Sequence, residues 1–115
     1  MKLSKSNLDK VERETATIIN FPFSTKQLSV TNIIVSGRHP ADNQKWYIEH
    51  KLTLICYVIK GSGTFTVDKQ IYEVSEGDAV QILPDQKYFI DGNLEYLVAC
   101  SPAYYREQHE QVELN

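Results

Sequence analysis

From Thr15 onward, apolar positions arrive in short runs separated by turn residues. The runs are residues 16–19, 27–35, 45–50, 52–59, 63–67, 70–74, 79–83, 87–90 and 94–100. They are rich in β-branched and aromatic residues and too short for amphipathic helices, so nine short runs with turns between them predict an all-β sandwich or barrel. The intervening segments, 36–40, 60–63, 68–70, 75–78, 84–86 and 91–93, carry the Gly, Pro, Asp and Asn that tight turns use.

Two flanking stretches differ. Residues 1–14 are polar, and within them 5–14 support at most a short helix with Leu8 and Val11 on one face. After Pro102 the chain becomes polar and charged, which predicts a surface tail over 103–115 around a single domain at 15–102. Within that domain Thr64-Phe65-Thr66-Val67 alternates as a half-buried strand does, whereas residues 54–59 are apolar on both faces. The outer face of that strand therefore needs a cover, and a second subunit is the expected one, making the protein a homodimer; the alternative is the N-terminal strand around Ile18-Ile19.

Composition narrows the partners. The net charge is −3 and no stripe of Lys or Arg forms, so a nucleic-acid partner is not expected. No signal-peptide h-region opens the chain and no apolar run approaches the ~20 residues that span a bilayer, which predicts a cytoplasmic protein with no membrane partner. Cys56 and Cys100 lie in apolar runs without a Cys-x-x-Cys spacing, and read as buried thiols.

Tyr57-Val58-Ile59-Lys60-Gly61-Ser62-Gly63-Thr64-Phe65-Thr66-Val67-Asp68, followed by Glu76-Gly77-Asp78-Ala79-Val80-Gln81-Ile82-Leu83-Pro84, resembles the cupin family. The first segment matches its strand, glycine turn and hairpin, and the second its Gly-Asp turn and the strand that runs to a proline. The resemblance spans roughly 45–102 and implies a double-stranded β-helix, a jelly-roll barrel with a pocket open at one end.

It also implies a test for metal. Metal-dependent cupins hold their ion with three histidines and one glutamate. With the first motif anchored on Gly61, the glutamate position falls on Leu54 and the histidine positions on Ile48 and His50, or on Tyr47 and Glu49. The histidine of the second motif falls on Phe89 or Tyr88. At best His50 survives, so neither a catalytic metal nor any other cofactor is expected.

The strand register that goes with the resemblance puts His50, Tyr47, Cys56, Gln81, Tyr88 and Tyr96 around a ligand pocket. His50 is the one inward imidazole in that register, with Glu49 on the opposite face of the strand. Glu49 and Glu95 read as solvated strand-edge charges, and Arg38 and His39 as a solvated turn, with a phosphate or carboxylate contact as the alternative. The expected function is small-molecule binding, with carbohydrates among the candidate ligands. The alternative is a metal-independent sugar or sugar-nucleotide isomerase or epimerase, with a metal-dependent dioxygenase or isomerase further behind.

Overall fold

The fold comes from a computed structural model that describes residues 1–113. Its strands are β1 (Val11–Glu12), β2 (Ala16–Phe21), β3 (Ser29–His39), β4 (Lys45–Glu49), β5 (Thr53–Val67), β6 (Gln70–Ser75), β7 (Ala79–Ile82), β8 (Lys87–Ser101) and β9 (His109–Glu113). All pairings are antiparallel. β8 lies at the centre, with β5 along one edge and β3, then β4, along the other. β2 and β1 extend the sheet beyond β3, β9 extends it beyond β4, and β6 and β7 share the free edge of β5. The sheet curls into the all-β jelly-roll barrel of a cupin. Among the described residues no helix is long and apolar enough to cross a membrane.

Two long strands replace four expected short ones. Residues 60–63 and 91–93 were expected to be turns, yet both lie within continuous strands, β5 and β8. Glycine explains the difference. Gly61 has φ +85° and Gly92 φ +140°, and a Cβ on Gly61 would collide with the Asn93 carbonyl while one on Gly92 would meet the Gly63 backbone. These glycines let the two strands bend together at close backbone approach without interrupting their pairing, assisted by a bulge between Val58 and Lys60.

The inward positions fill the barrel unevenly. Phe65, Val67, Val74, Ile90, Leu94 and Val35 pack one part of the interior, and Phe65 meets the Tyr96 ring edge-on at 5.3 Å. The outer face of β5 is different: Ile55, Tyr57 and Ile59 are 43, 48 and 40% exposed.

Both ends of the chain depart from expectation. In place of a helix over 5–14 there is one 3₁₀ turn at Lys5–Asn7, followed by β1, whose Val11 pairs with Ile18. Lys5 bonds Glu95 at 3.1 Å, so the 3₁₀ turn packs on the outer side of the barrel. The polar stretch after Pro102 forms a 3₁₀ turn at Arg106–Gln108 and then β9, paired along the whole of β4. Polarity misled here because an edge strand keeps one row of side chains in water while its backbone is paired. Leu114 and Asn115, the end of the expected tail, lie outside the described residues.

Candidate functional site

The unfilled part of the interior is a cavity of about 410 Å³. Strand alternation places its lining. On β5 the inward residues are Leu54 and Cys56, on β8 Tyr88, Tyr96, Val98 and Cys100, and on β4 Tyr47 and Glu49. His39 at the end of β3, with Arg13, Tyr104, Arg106 and His109 from the two terminal segments, completes the polar part of the wall.

Glu49 anchors the chemistry. It is 3% exposed, and three side chains converge on its carboxylate. The Tyr88 hydroxyl donates to Oε2 at 2.6 Å and the Gln108 amide to Oε1 at 2.7 Å. His109 Nδ1 lies 2.9 and 2.8 Å from the two oxygens. A carboxylate here only accepts, so Nδ1 carries a proton and Nε2 is the ring nitrogen left as acceptor on a side chain that lines the cavity. Burial first, and then the charge of Glu49, raises the Tyr88 hydroxyl well above the ordinary tyrosine range.

His39 is the second imidazole of the wall. It is 7% exposed and stands edge-on to Tyr47, ring centres 5.0 Å apart. Burial first, with the positive charge of Arg13 acting in the same direction, lowers its pKa to about 4, so it is a neutral base near pH 7. The Tyr47 ring also lies 4.9 Å from that of His109 and 5.8 Å from that of Tyr88, at the centre of the aromatic wall. Burial pushes the thiols of Cys56 and Cys100 up, Cys100 to about 11, which leaves both protonated and unreactive.

Of the residues expected around the pocket, Tyr47, Cys56, Tyr88 and Tyr96 line the cavity and His50 and Gln81 do not. His50 follows Glu49 and so faces outward. There its Nδ1 meets Asp85 at 2.6 Å and its Nε2 meets Glu110 at 2.7 Å. Gln81 pairs with Ile55 and shares its outer face, because Val80 and Ile82 occupy the inward positions of β7. The motif that singled out His50 was counted from sequence spacing, and the alternation of β4 decides against it.

Three further assignments change, the first being His39, expected in a turn with Arg38 but 7% exposed on the cavity wall. Glu49, expected in solvent, is the most enclosed carboxylate of the site. Arg38, expected in a solvated turn, donates to the carbonyls of Pro40 and Lys45 at 2.9 and 2.7 Å and stacks over Phe89 at 4.0 Å, so it braces the β3–β4 connection. His109, Gln108, Arg13 and Arg106 were missed because they lie in polar end segments whose sequence shows no barrel pattern; the spacing of His109 and Gln108 beyond the last apolar run carries no signal of its own.

The metal of many cupins does not fit these residues. Among the described residues no group of three or more His, Cys, Asp or Glu is placed to hold an ion. Leu54 occupies the motif's glutamate position inside the barrel and His50 points away from it. The one carboxylate on the cavity wall is already shared by a phenol, an amide and an imidazole.

Comparison with known proteins agrees with this architecture. No curated protein matches the sequence. Among solved structures, the chain is similar to Streptomyces Pac13, described as a nucleoside dehydratase, at TM-score 0.88 and 15% identity over 99% of this chain and 92% of that one. A Pac13 variant with uridine matches at the same TM-score and identity, over 99% and 91%. Bacillus subtilis oxalate decarboxylase matches at TM-score 0.82 and 17% identity, over 96% of this chain and 31% of that one. At these identities the likeness is one of fold. A family model for the AraC-like ligand binding domain matches residues 32–91, which run from β3 through the first part of β8 and include Tyr47, Glu49, Cys56 and Tyr88. The chain thus belongs to the AraC-like ligand binding domain family, on a cupin barrel, which supports small-molecule binding.

Proposed function

We propose that the cavity takes a small hydroxylated molecule, of nucleoside or monosaccharide size, and that His109, held by Glu49, moves protons on it. The observation that carries this reading is the buried carboxylate held against a cavity-lining imidazole through Nδ1. That arrangement fixes the tautomer and stabilises the imidazolium that forms when Nε2 takes a proton. The volume of about 410 Å³ suits such a ligand, and Tyr47 and Tyr96 offer ring faces and hydroxyls to it.

The reaction class that follows is elimination or isomerisation beside a carbonyl. His109 Nε2 removes a proton from the carbon next to the carbonyl, and a carbon–carbon double bond forms as the neighbouring hydroxyl leaves. The proton held by His109 departs with that hydroxyl as water, so the site returns to its starting state. Returning the proton to a different carbon gives isomerisation instead. The likeness to Pac13, described as a nucleoside dehydratase, supports the first outcome.

A thermal-shift panel of nucleosides, sugars and their oxidised carbonyl forms, followed by mass spectrometry of recovered ligand, tests this. A stabilising compound recovered 18 mass units lighter (loss of one water), with the conversion slowed roughly 100-fold or more by His109→Gln, is the expected result. Recovery of the stabilising compound unchanged under all conditions overturns the catalytic part. It favours a second reading, a ligand sensor without turnover, which the family match supports.

The exposed outer row of Ile55, Tyr57 and Ile59 supports a homodimer through this face. Sedimentation of wild type against Tyr57→Lys tests it, with a shift to monomer expected. The two free buried thiols are consistent with a cytoplasmic protein.

A further inference from the structure

The chain has three arginines and nine lysines. Arg38 is fully engaged by backbone carbonyls and the Phe89 ring. No lysine lines the cavity. The other two arginines, Arg13 and Arg106, both do.

They arrive from opposite ends of the sequence. Arg13 sits in the turn between β1 and β2, where its own N–H bonds the Ala16 carbonyl at 2.7 Å. Arg106 opens the 3₁₀ turn that delivers Gln108 and His109. Both are exposed, and so stand where the cavity meets solvent, whereas Glu49 is enclosed at its floor.

Neither guanidinium has an acidic partner. The ion pairs of the described residues all use Lys5, Lys45, His50 or His109. Arg13's side chain donates to the Glu12 carbonyl at 3.3 Å, while an oxygen of the Glu12 carboxylate accepts from the Thr17 hydroxyl. Glu49, the single carboxylate lining the cavity, is occupied by Tyr88, Gln108 and His109. In a chain with more acidic than basic residues, two guanidinium groups without an ion pair among the lining residues leave positive potential at the exposed part of the cavity. The field of Arg13 extends inward, where it helps keep His39 neutral and opposes the rise in the Tyr47 pKa.

We propose that Arg13 and Arg106 form an anion clamp at the cavity rim, so that the ligand carries a carboxylate or phosphate at one end and its reacting carbon at the other, toward Glu49 and His109. This rests on the reading of the cavity as a site for a hydroxylated small molecule, and it narrows that class to sugar acids, sugar phosphates and nucleotides. Guanidinium groups match both anions through paired N–H donors and need not be deprotonated or displaced on binding.

Calorimetric titration with ribose, ribonate, ribose 5-phosphate, uridine and uridine 5′-monophosphate tests the clamp on wild type, Arg13→Gln, Arg106→Gln and the double variant. Melting curves check that each variant is folded, which their exposed positions favour. Anionic members are expected to bind at least tenfold more tightly than their neutral counterparts. Each single substitution should remove most of that margin, Arg→Lys should restore part of it, and added salt should weaken only the anions. Preference for ribonate assigns a carboxylate, and preference for the phosphates assigns a phosphate ester. Equal binding of neutral and anionic members, or an anion preference that survives the double substitution, overturns the clamp and leaves the cavity reading standing. No binding by any member to folded wild-type protein overturns both.

Discussion

Glu49 and His50 are consecutive residues, and each meets a partner of opposite type from the C-terminal segment. Glu49 takes His109 and His50 takes Glu110, with closest approaches of 2.8 and 2.7 Å. The environments, however, have little in common. Glu49 is 3% exposed and shares its carboxylate with a phenol, an amide and an imidazole. His50 has a side chain 40% exposed between two solvated carboxylates. The inner pair is held by desolvation and by donors with no alternative partner, whereas water competes for the outer one. Similar bond lengths on opposite faces of one strand therefore carry different energies and different chemistry.

Removing the inner acceptor should have the largest effect. Glu49→Ala leaves a buried phenol and amide and a half-buried imidazole without their partner, and is expected to destabilise by about 3 kcal/mol in urea denaturation. An effect no larger than that of His50→Ala would end the distinction drawn between the two faces.

An acid titration of stability probes the same wall through His39. Its ordinary pKa of 6.5 falls to about 4 in the fold, so above pH 6.5 the residue is neutral in folded and unfolded chains alike and contributes no difference. As pH falls from 6.5 toward 4 the unfolded chain binds a proton that the folded one refuses. Stability should drop by about 3 kcal/mol across that window, and His39→Gln should remove this component of the slope. An unchanged slope in His39→Gln would show that the imidazole is solvated.

Tyr88→Phe removes one of the donors to Glu49 and keeps the ring in place. About 1 to 2 kcal/mol of lost stability is expected, and a double-mutant cycle with Glu49→Gln should give a non-zero coupling. Additivity would mean that the 2.6 Å contact contributes nothing.

The smallest effect belongs to His50→Gln. Contact with Glu110, and then with Asp85, raises the His50 pKa above 6.5, so the stabilisation it contributes is present below pH 6.5 and is lost as pH rises through the raised value. Wild type and variant should differ slightly at pH 6, converge at alkaline pH, and converge also in high salt. The difference should appear first as faster amide exchange in β9, which Glu110 helps to tether. A difference that persists at alkaline pH would contradict an ion-pair origin.

The strands were legible in the chain as short apolar runs, and the inward row of one as alternation in Thr64-Phe65-Thr66-Val67, whereas residues 54–59 and 96–100 are apolar on both faces and their period does not say which row turns inward. Tyr47, Cys56, Tyr88 and Tyr96 were placed inside by the register that the cupin resemblance implies, which also put His50 and Gln81 there. The glycines at 61, 63 and 92 were visible but ambiguous: a residue that permits a turn also permits a bend in a continuous strand, and only the closeness of β5 to β8 selects the bend.

The sequence by itself determined an all-β chain of short strands, since strand-forming side chains and turn residues act locally, and its resemblance to the cupins added the barrel and the poor match to a metal-binding motif. Tertiary structure alone decided which end residues reach the cavity and which member of a charged pair is buried. Those outcomes depend on β9 pairing with β4, a contact between residues far apart in the chain, and on the short hairpin of β1 with β2; the polar sequences of β1 and β9 carry no periodic signal. The burial of Glu49 and the exposure of His50 are consequences of that closure: one strand face was turned to an interior that His109 and Gln108 help to close, and the other was left to water.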